Sequence, residues 1–258
     1  MYARIARGAY QRARELGYVV MLAEDNEDTD AQADFTDLVD AGRVDGLLIA
    51  SARRDHSLIA SGRLGVIPHV FVNRTVPDSG RNITVDLKLA SRVAFEYLHG
   101  LGHHELAHIS GPDDLSPARE RESGFTSAAA AAGRPDPLIV HADFSEAGGY
   151  EAVERILTER PAVTAIYAGT FPQSVGALKA LHMLGRRVPE QVSLLSYDDL
   201  PMAAYLEPSL TTLKLPLQEL GTSAVDELVR QLQGQTPRDL TLNARIRIVE
   251  RESVASLS

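Results

Sequence analysis

Short apolar runs alternate with stretches of helical period along almost the whole chain, and that alternation leaves few architectures open. Tyr18–Ala23 (YVVMLA), Val44–Ala50 (VDGLLIA), Val66–Val72 (VIPHVFV), Asn82–Val85, Leu106–Ser110 (LAHIS), Leu138–His141, Val163–Ala168, Val192–Ser196 and Arg245–Glu250 read as strands. Most are apolar at successive positions, as a strand covered on both faces must be. Between them, Ile5, Ala9, Ala13 and Leu16 recur at helical spacing, and Gly17 closes that helix. Further helices are expected over 31–41, 87–100, 146–159, 172–185 and 217–233, with another running from Ser116 to Gly133. Ser116 reads as the N-cap of that last one, with Pro117 at its first position. Buried strands alternating with crossover helices predict an α/β fold with parallel sheets. The strand–helix units before and after residue 86 resemble two similar halves, so two lobes with a cleft between them are expected. Ligands of such sheets bind outside the carboxyl ends of the strands, which makes the residues after each strand the ones to inspect.

Composition removes several classes. The 258 residues contain no cysteine, which excludes disulfides and thiolate metal sites. No apolar run approaches the ~18 residues that span a bilayer. The N-terminal segment carries Arg4, Arg7, Arg12 and Arg14 without an apolar core, so it does not read as a secretory signal. Acidic residues outnumber basic ones, 35 to 26, for a net charge of −9. Tight nucleic-acid binding rests on a basic face, so this chain by itself is not expected to hold DNA.

Candidate catalytic motifs fail on context. His104-Glu-Leu-Ala-His108 matches a zinc-protease pattern that needs both histidines on one helical turn. Leu106–Ser110 reads as a strand, which would separate them by roughly 13 Å at ~3.3 Å per residue. Gly100-Leu-Gly102 follows a helix instead of opening one, and neither a phosphate-binding loop nor a G-x-S-x-G elbow is present. No metal, cofactor or enzymatic activity is expected.

Three segments after strands carry chemistry suited to a small polar ligand: Ser116–Phe125 with Arg121, Ala142–Ser145 with Phe144, and Tyr197-Asp198-Asp199. A guanidinium donates, a carboxylate accepts, and an aromatic face packs against the apolar side of a sugar-like ring. Taken singly, Arg121 could equally be a solvated helix face, Phe144 core and Asp198 a turn.

These segments also carry a family likeness. Leu101–Pro112 (LGHHELAHISGP), Arg119–Phe125 (RERESGF), Gly185–Asp199 (GRRVPEQVSLLSYDD), Ser209–Leu213 (SLTTL) and Val249–Ser253 (VERES) resemble, in order, five segments of the LacI family of transcriptional regulators. The resemblance implies the family's effector-sensing core, two Rossmann-like lobes of periplasmic-binding-protein-like type I joined by three crossovers. The lobes would comprise residues 1–85 with 214–243, and 86–213 with 244–258. It further implies a homodimer in the cytoplasm, with no membrane contact and a sugar or related small molecule as effector. Arg121 would be the clamping arginine, Asp198 the hydroxyl-binding aspartate and Phe144 the stacking aromatic, with Tyr2 as an aromatic of the loop that opens the first helix. The family has Asn-Asp where this chain has Thr170-Phe171, so these two are site candidates for a less polyhydroxylated or stacked ligand. The helix-turn-helix head and first core strand of the family have no counterpart in the sequence, and operator DNA would be reached only through such a head. The rival reading is a periplasmic sugar-binding protein of an ABC transporter, which shares the two-lobe fold.

Overall fold

The computed structural model describes residues 2–23, 41–50, 63–242 and 246–257. Its elements in chain order are α1 (Tyr2–Glu15), β1 (Leu47–Ile49), a 3-10 turn (Arg63–Val66), β2 (His69–Val72), β3 (Asn82–Val85), α2 (Leu87–Gly100), β4 (Leu106–Ser110) and α3 (Ser116–Ala131). There follow β5 (Leu138–His141), α4 (Glu146–Glu159), β6 (Ala165–Ala168), α5 (Phe171–Met183), β7 (Ser193–Tyr197), a second 3-10 turn (Pro201–Tyr205), β8 (Thr211–Lys214), α6 (Leu217–Leu232), β9 (Leu240–Leu242) and β10 (Arg247–Val249). The helix expected over 31–41 lies, but for its last residue, outside the described residues.

The chain divides into two compact units, Met1–Val85 with Pro216–Asn243 and Asp86–Leu215 with Ala244–Ser258. The second passage between them falls at Pro216 instead of 214, because Leu213 and Lys214 are still paired in β8 with Ile248 and Arg247. The first unit holds a parallel sheet ordered β1-β2-β3-β9. The second holds six strands ordered β10-β8-β7-β6-β4-β5, parallel except for β10 on its edge.

In the second sheet the two faces differ in chemistry, because successive strand residues alternate sides. One face is aliphatic: Ala107, Ile109, Ile166, Ala168 and Leu194 pack on α4 and α5 through Val153, Ile156, Ala177 and Leu181. The other is built of rings, with His108 stacked on Tyr167 at 4.7 Å and both against Phe125 of α3 at 5.4 and 5.3 Å. Helices approach one another at glycines. A Cβ on Gly149 would lie 2.1 Å from the Gln173 carbonyl oxygen, and one on Gly176 1.8 Å from that of Glu146.

Four sequence expectations need correction. Tyr18–Ala23 is no buried strand: Val19, Met21 and Leu22 are 95%, 63% and 84% exposed, and no ladder includes them. An apolar run favours extended chain, but a strand needs a partner edge, and no described backbone group offers one. Strand β2 begins at His69, not Val66, because Pro68 has no N–H to give a ladder, although its carbonyl accepts from Leu47 N–H at 3.0 Å. Ser116 does not cap α3. Leu115 holds the cap position without a side-chain bond, and Ser116 already lies within the helix. Finally, β8 and β9 lie where no strand was expected, since Thr211 and Thr212 make a polar-looking run.

In the first unit, α1 crosses α6 at two glycines. A Cβ on Gly8 would lie 1.9 Å from the Gln218 carbonyl oxygen, and one on Gly221 2.0 Å from that of Ile5. Helix propensity alone makes Gly221→Ala stabilising by about 0.8–1 kcal/mol. Backbone contact outweighs it, because a carbonyl cannot yield as a flexible side chain does. Gly221→Ala is therefore expected to destabilise by about 1–3 kcal/mol in urea unfolding followed by circular dichroism.

Candidate functional site

Chemistry in the second unit gathers at the carboxyl ends of β4 to β7. Arg121 is only 1% exposed, and its guanidinium carbon lies 5.2 Å from the ring centre of Phe144 and 4.8 Å from that of Tyr197. Such contacts contribute about 0.5–2 kcal/mol each as water is excluded. Phe125, one turn further along α3, lies on the rings of the sheet and fixes which face of the helix points down. Arg121 is thereby carried to the strand ends. Burial pushes the Tyr197 phenol up to about 12, against the opposing pull of the neighbouring Arg121 charge.

Phe144 is held by the turn after β5. Its ring lies against Gly111, where a Cβ would approach ring carbons to 2.1 Å. Ser145 caps α4 by accepting from Gly148 N–H at 3.0 Å. Gln173, wholly buried, donates from Nε2 to the carbonyls of Ser110 and Asp143, each at 3.0 Å, and so ties the loops after β4 and β5 to the start of α5. Nothing in the sequence reading singled it out.

Asp198 turns the chain after β7 with φ of 75°, a left-handed conformation that aspartate tolerates better than most residues but that still carries strain. It is buried, with its N–H donating to Leu213 O at 3.1 Å. Its neighbour Asp199 is structural. It accepts from Arg251 Nη2 at 2.8 Å and Thr212 Oγ1 at 2.9 Å, with Lys214 Nζ 3.7 Å away. Burial alone would raise its pKa, but these donors and cations outweigh burial and hold the carboxyl below the usual carboxylate range.

Arg121, Phe144 and Asp198 are thus placed at the same end of one sheet, the first two in ring contact and the third following the tyrosine that flanks the arginine. Thr170 and Phe171 are held by contacts within the fold. Thr170 Oγ1 caps α5 by accepting from Gln173 N–H at 3.3 Å, and the Phe171 ring is buried in the aliphatic core. Tyr2 belongs to the first unit, where its hydroxyl accepts from Arg74 Nη2 at 3.1 Å while Arg74 Nε donates to Ala50 O at 3.2 Å. Ala50 and Arg74 follow β1 and β2, so Tyr2 lies at the carboxyl end of its own sheet.

His104 is exposed before β4 and His108 is buried within it, so the protease-like spacing brings no shared ligand position. Burial pushes the His108 imidazole down to about 3, with the Arg121 charge adding to the effect. In an unfolded chain it titrates near 6.5. Below that pH the unfolded chain takes up a proton that the folded one refuses, so stability falls with decreasing pH. Urea unfolding between pH 6.5 and 4.5 is expected to show this slope, and His108→Phe to lessen it by about 1.4 kcal/mol per pH unit.

Residues 95–254 match the model of the periplasmic binding protein-like domain. Over 98% of its length the chain is 30% identical to the ribose operon repressor of Escherichia coli (strain K12), 78% of which it spans. The structure of a LacI family transcriptional regulator from Mycobacterium smegmatis superposes with a TM-score of 0.91 at 27% identity, covering 99% of this chain and 95% of that one. A complex of the transcriptional regulator CelR with cellobiose gives 0.90 at 30% identity, covering 98% of this chain and 78% of that one. The chain therefore belongs to the LacI family of transcriptional regulators and carries the effector-sensing core of that family.

Proposed function

We propose that this chain senses a sugar-like effector through Arg121, Phe144 and Asp198 and that the regulator acts as a cytoplasmic homodimer on operator DNA. The observation that carries the reading is the Arg121 guanidinium, buried between two aromatic faces and followed around the sheet end by a strained aspartate. A donor, an acceptor and a ring face at one place are what a polyhydroxylated ring with an apolar side requires. Relatives named for ribose and a neighbour solved with cellobiose support a carbohydrate. The acidic balance of the chain supports DNA contact through a separate basic head. Binding of the effector would favour one arrangement of the protein and, by linkage, change its affinity for the operator.

Titration calorimetry of the chain against D-ribose, cellobiose and a nucleoside panel tests this. At least one probe is expected to bind, and Arg121→Ala and Asp198→Asn each to weaken it about 10- to 150-fold, the loss of one charge-assisted hydrogen bond. Equal binding by both variants would remove the site assignment. Phe171→Ala, by contrast, is expected to destabilise the fold by about 3–5 kcal/mol in thermal unfolding and to change affinity little.

A further inference from the structure

Below Arg121 the sheet presents a polar floor. His108 and Ser110 stand two residues apart on β4, so their side chains share one face, and both are buried. Phe125 rests on the His108 ring at 5.4 Å. Arg121 lies four residues nearer the start of α3, about 6 Å along the axis, which matches the ~6.6 Å that separate His108 from Ser110 along the strand. The His108 Cε1 atom lies 3.4 Å from where a Cβ on Gly169 would stand, so the outer edge of the ring reaches the carboxyl end of β6.

The hydrogen-bonding state of this floor follows from its partners. His108 Nδ1 is 2.9 Å from Tyr167 O, and a carbonyl only accepts, so Nδ1 bears the proton. The neutral ring then offers a lone pair at Nε2. That atom, Ser110 Oγ and Arg121 Nε have no hydrogen-bond partner among the described residues. A buried polar group left unmet costs about 1–3 kcal/mol, and three in the layer between this sheet and α3 are a concentration that a closed core avoids. An acceptor, a hydroxyl and an N–H donor together match a group that both gives and takes a hydrogen bond.

We infer that His108 and Ser110 form the floor of the effector site and read one hydroxyl of the ligand, which donates to His108 Nε2 while its oxygen accepts from Ser110 Oγ or Arg121 Nε. The inference rests on the reading that the effector is held at Arg121. It makes the site selective for a donor: a carbonyl or carboxylate oxygen placed there would face the imidazole lone pair, and a deoxy ligand would leave it unmet.

The test combines calorimetry with nitrogen NMR of the chain carrying 15N-histidine, using D-ribose and cellobiose as first probes and then the monodeoxy analogues of whichever binds. His108 Nε2 is expected to resonate as an unprotonated nitrogen in the free chain and to shift on addition of the sugar. One deoxy analogue should bind the chain about 10- to 100-fold more weakly than the parent sugar, with His108→Phe and Ser110→Ala each weakening the parent about tenfold. The wild-type spectrum and the analogue series decide the matter even if the phenylalanine variant fails to fold. Should a sugar bind in an Arg121-dependent way while Nε2 stays unmoved and every deoxy analogue binds alike, the inference falls and the proposed function stands. Should neither sugar bind at millimolar concentration, the sugar-sensing reading falls and takes the inference with it.

Discussion

A parallel sheet covered by helices on both faces spends its backbone groups on the ladder and must find apolar neighbours for its side chains. In the second unit one face meets that demand with aliphatic residues, Ile109, Ile166 and Leu194 among them. The other meets it with rings: Phe95 against Phe125 at 5.5 Å, and Phe125 against His108 and Tyr167. The ring face is what allows a guanidinium to be buried. Arg121 continues the stack of α3 beyond Phe125, and its charge is met by the faces of Phe144 and Tyr197. An aliphatic layer would give the cation no favourable face, so the composition of this one layer determines where polar chemistry can stand.

A second constraint fixes the turn that carries Asp198. Ser253 donates from Oγ to Leu194 O at 2.6 Å and accepts from Thr211 N–H at 2.8 Å, while Leu194 N–H donates to Ser253 O at 2.7 Å. Two residues earlier Arg251 clamps Asp199 and Thr212. The closing segment therefore fastens β7 to β8 on either side of the turn, and Asp199 is consumed by that fastening. Asp198 is left in a left-handed conformation because the residues around it are over-determined. Strain held in this way is a recurrent mark of functional positions.

Long, two-sided apolar strands and the helices between them were legible in the sequence, since Leu106–Ser110 and Leu138–His141 are bounded as the periodicity indicates. Pairing was not legible. Tyr18–Ala23 has the apolarity of a core strand yet stands exposed, while Thr211 and Thr212, polar in the sequence, are wholly buried because Arg251, Ser253 and Asp199 satisfy them. Those partners lie up to 42 residues away, and no local pattern reports them. The same holds at the candidate site. Arg121, Phe144 and Asp198 are proposed there because each follows a strand, a position that the sequence shows, whereas Gln173 and Tyr197 make contacts that only the assembled sheet creates. Tyr197 was within reach, being the residue before Asp198 at the end of an apolar strand.

At Thr170 and Phe171 both side chains are engaged within the fold. A polar pair at these positions would offer an amide and a carboxylate just past β6. Here the hydroxyl of Thr170 is committed to the cap of α5, and the ring of Phe171 goes down into the aliphatic core. One strand over, β4 supplies what β6 does not: an imidazole with a free lone pair and a hydroxyl, both beneath Arg121. The imidazole can stand there because Tyr167, its paired neighbour on β6, provides both the carbonyl that fixes its tautomer and the ring that stacks on it. In the proposed site, polar recognition therefore rests on the floor of β4 and not on the loop after β6, and the aromatic layer is what lets an imidazole stand there.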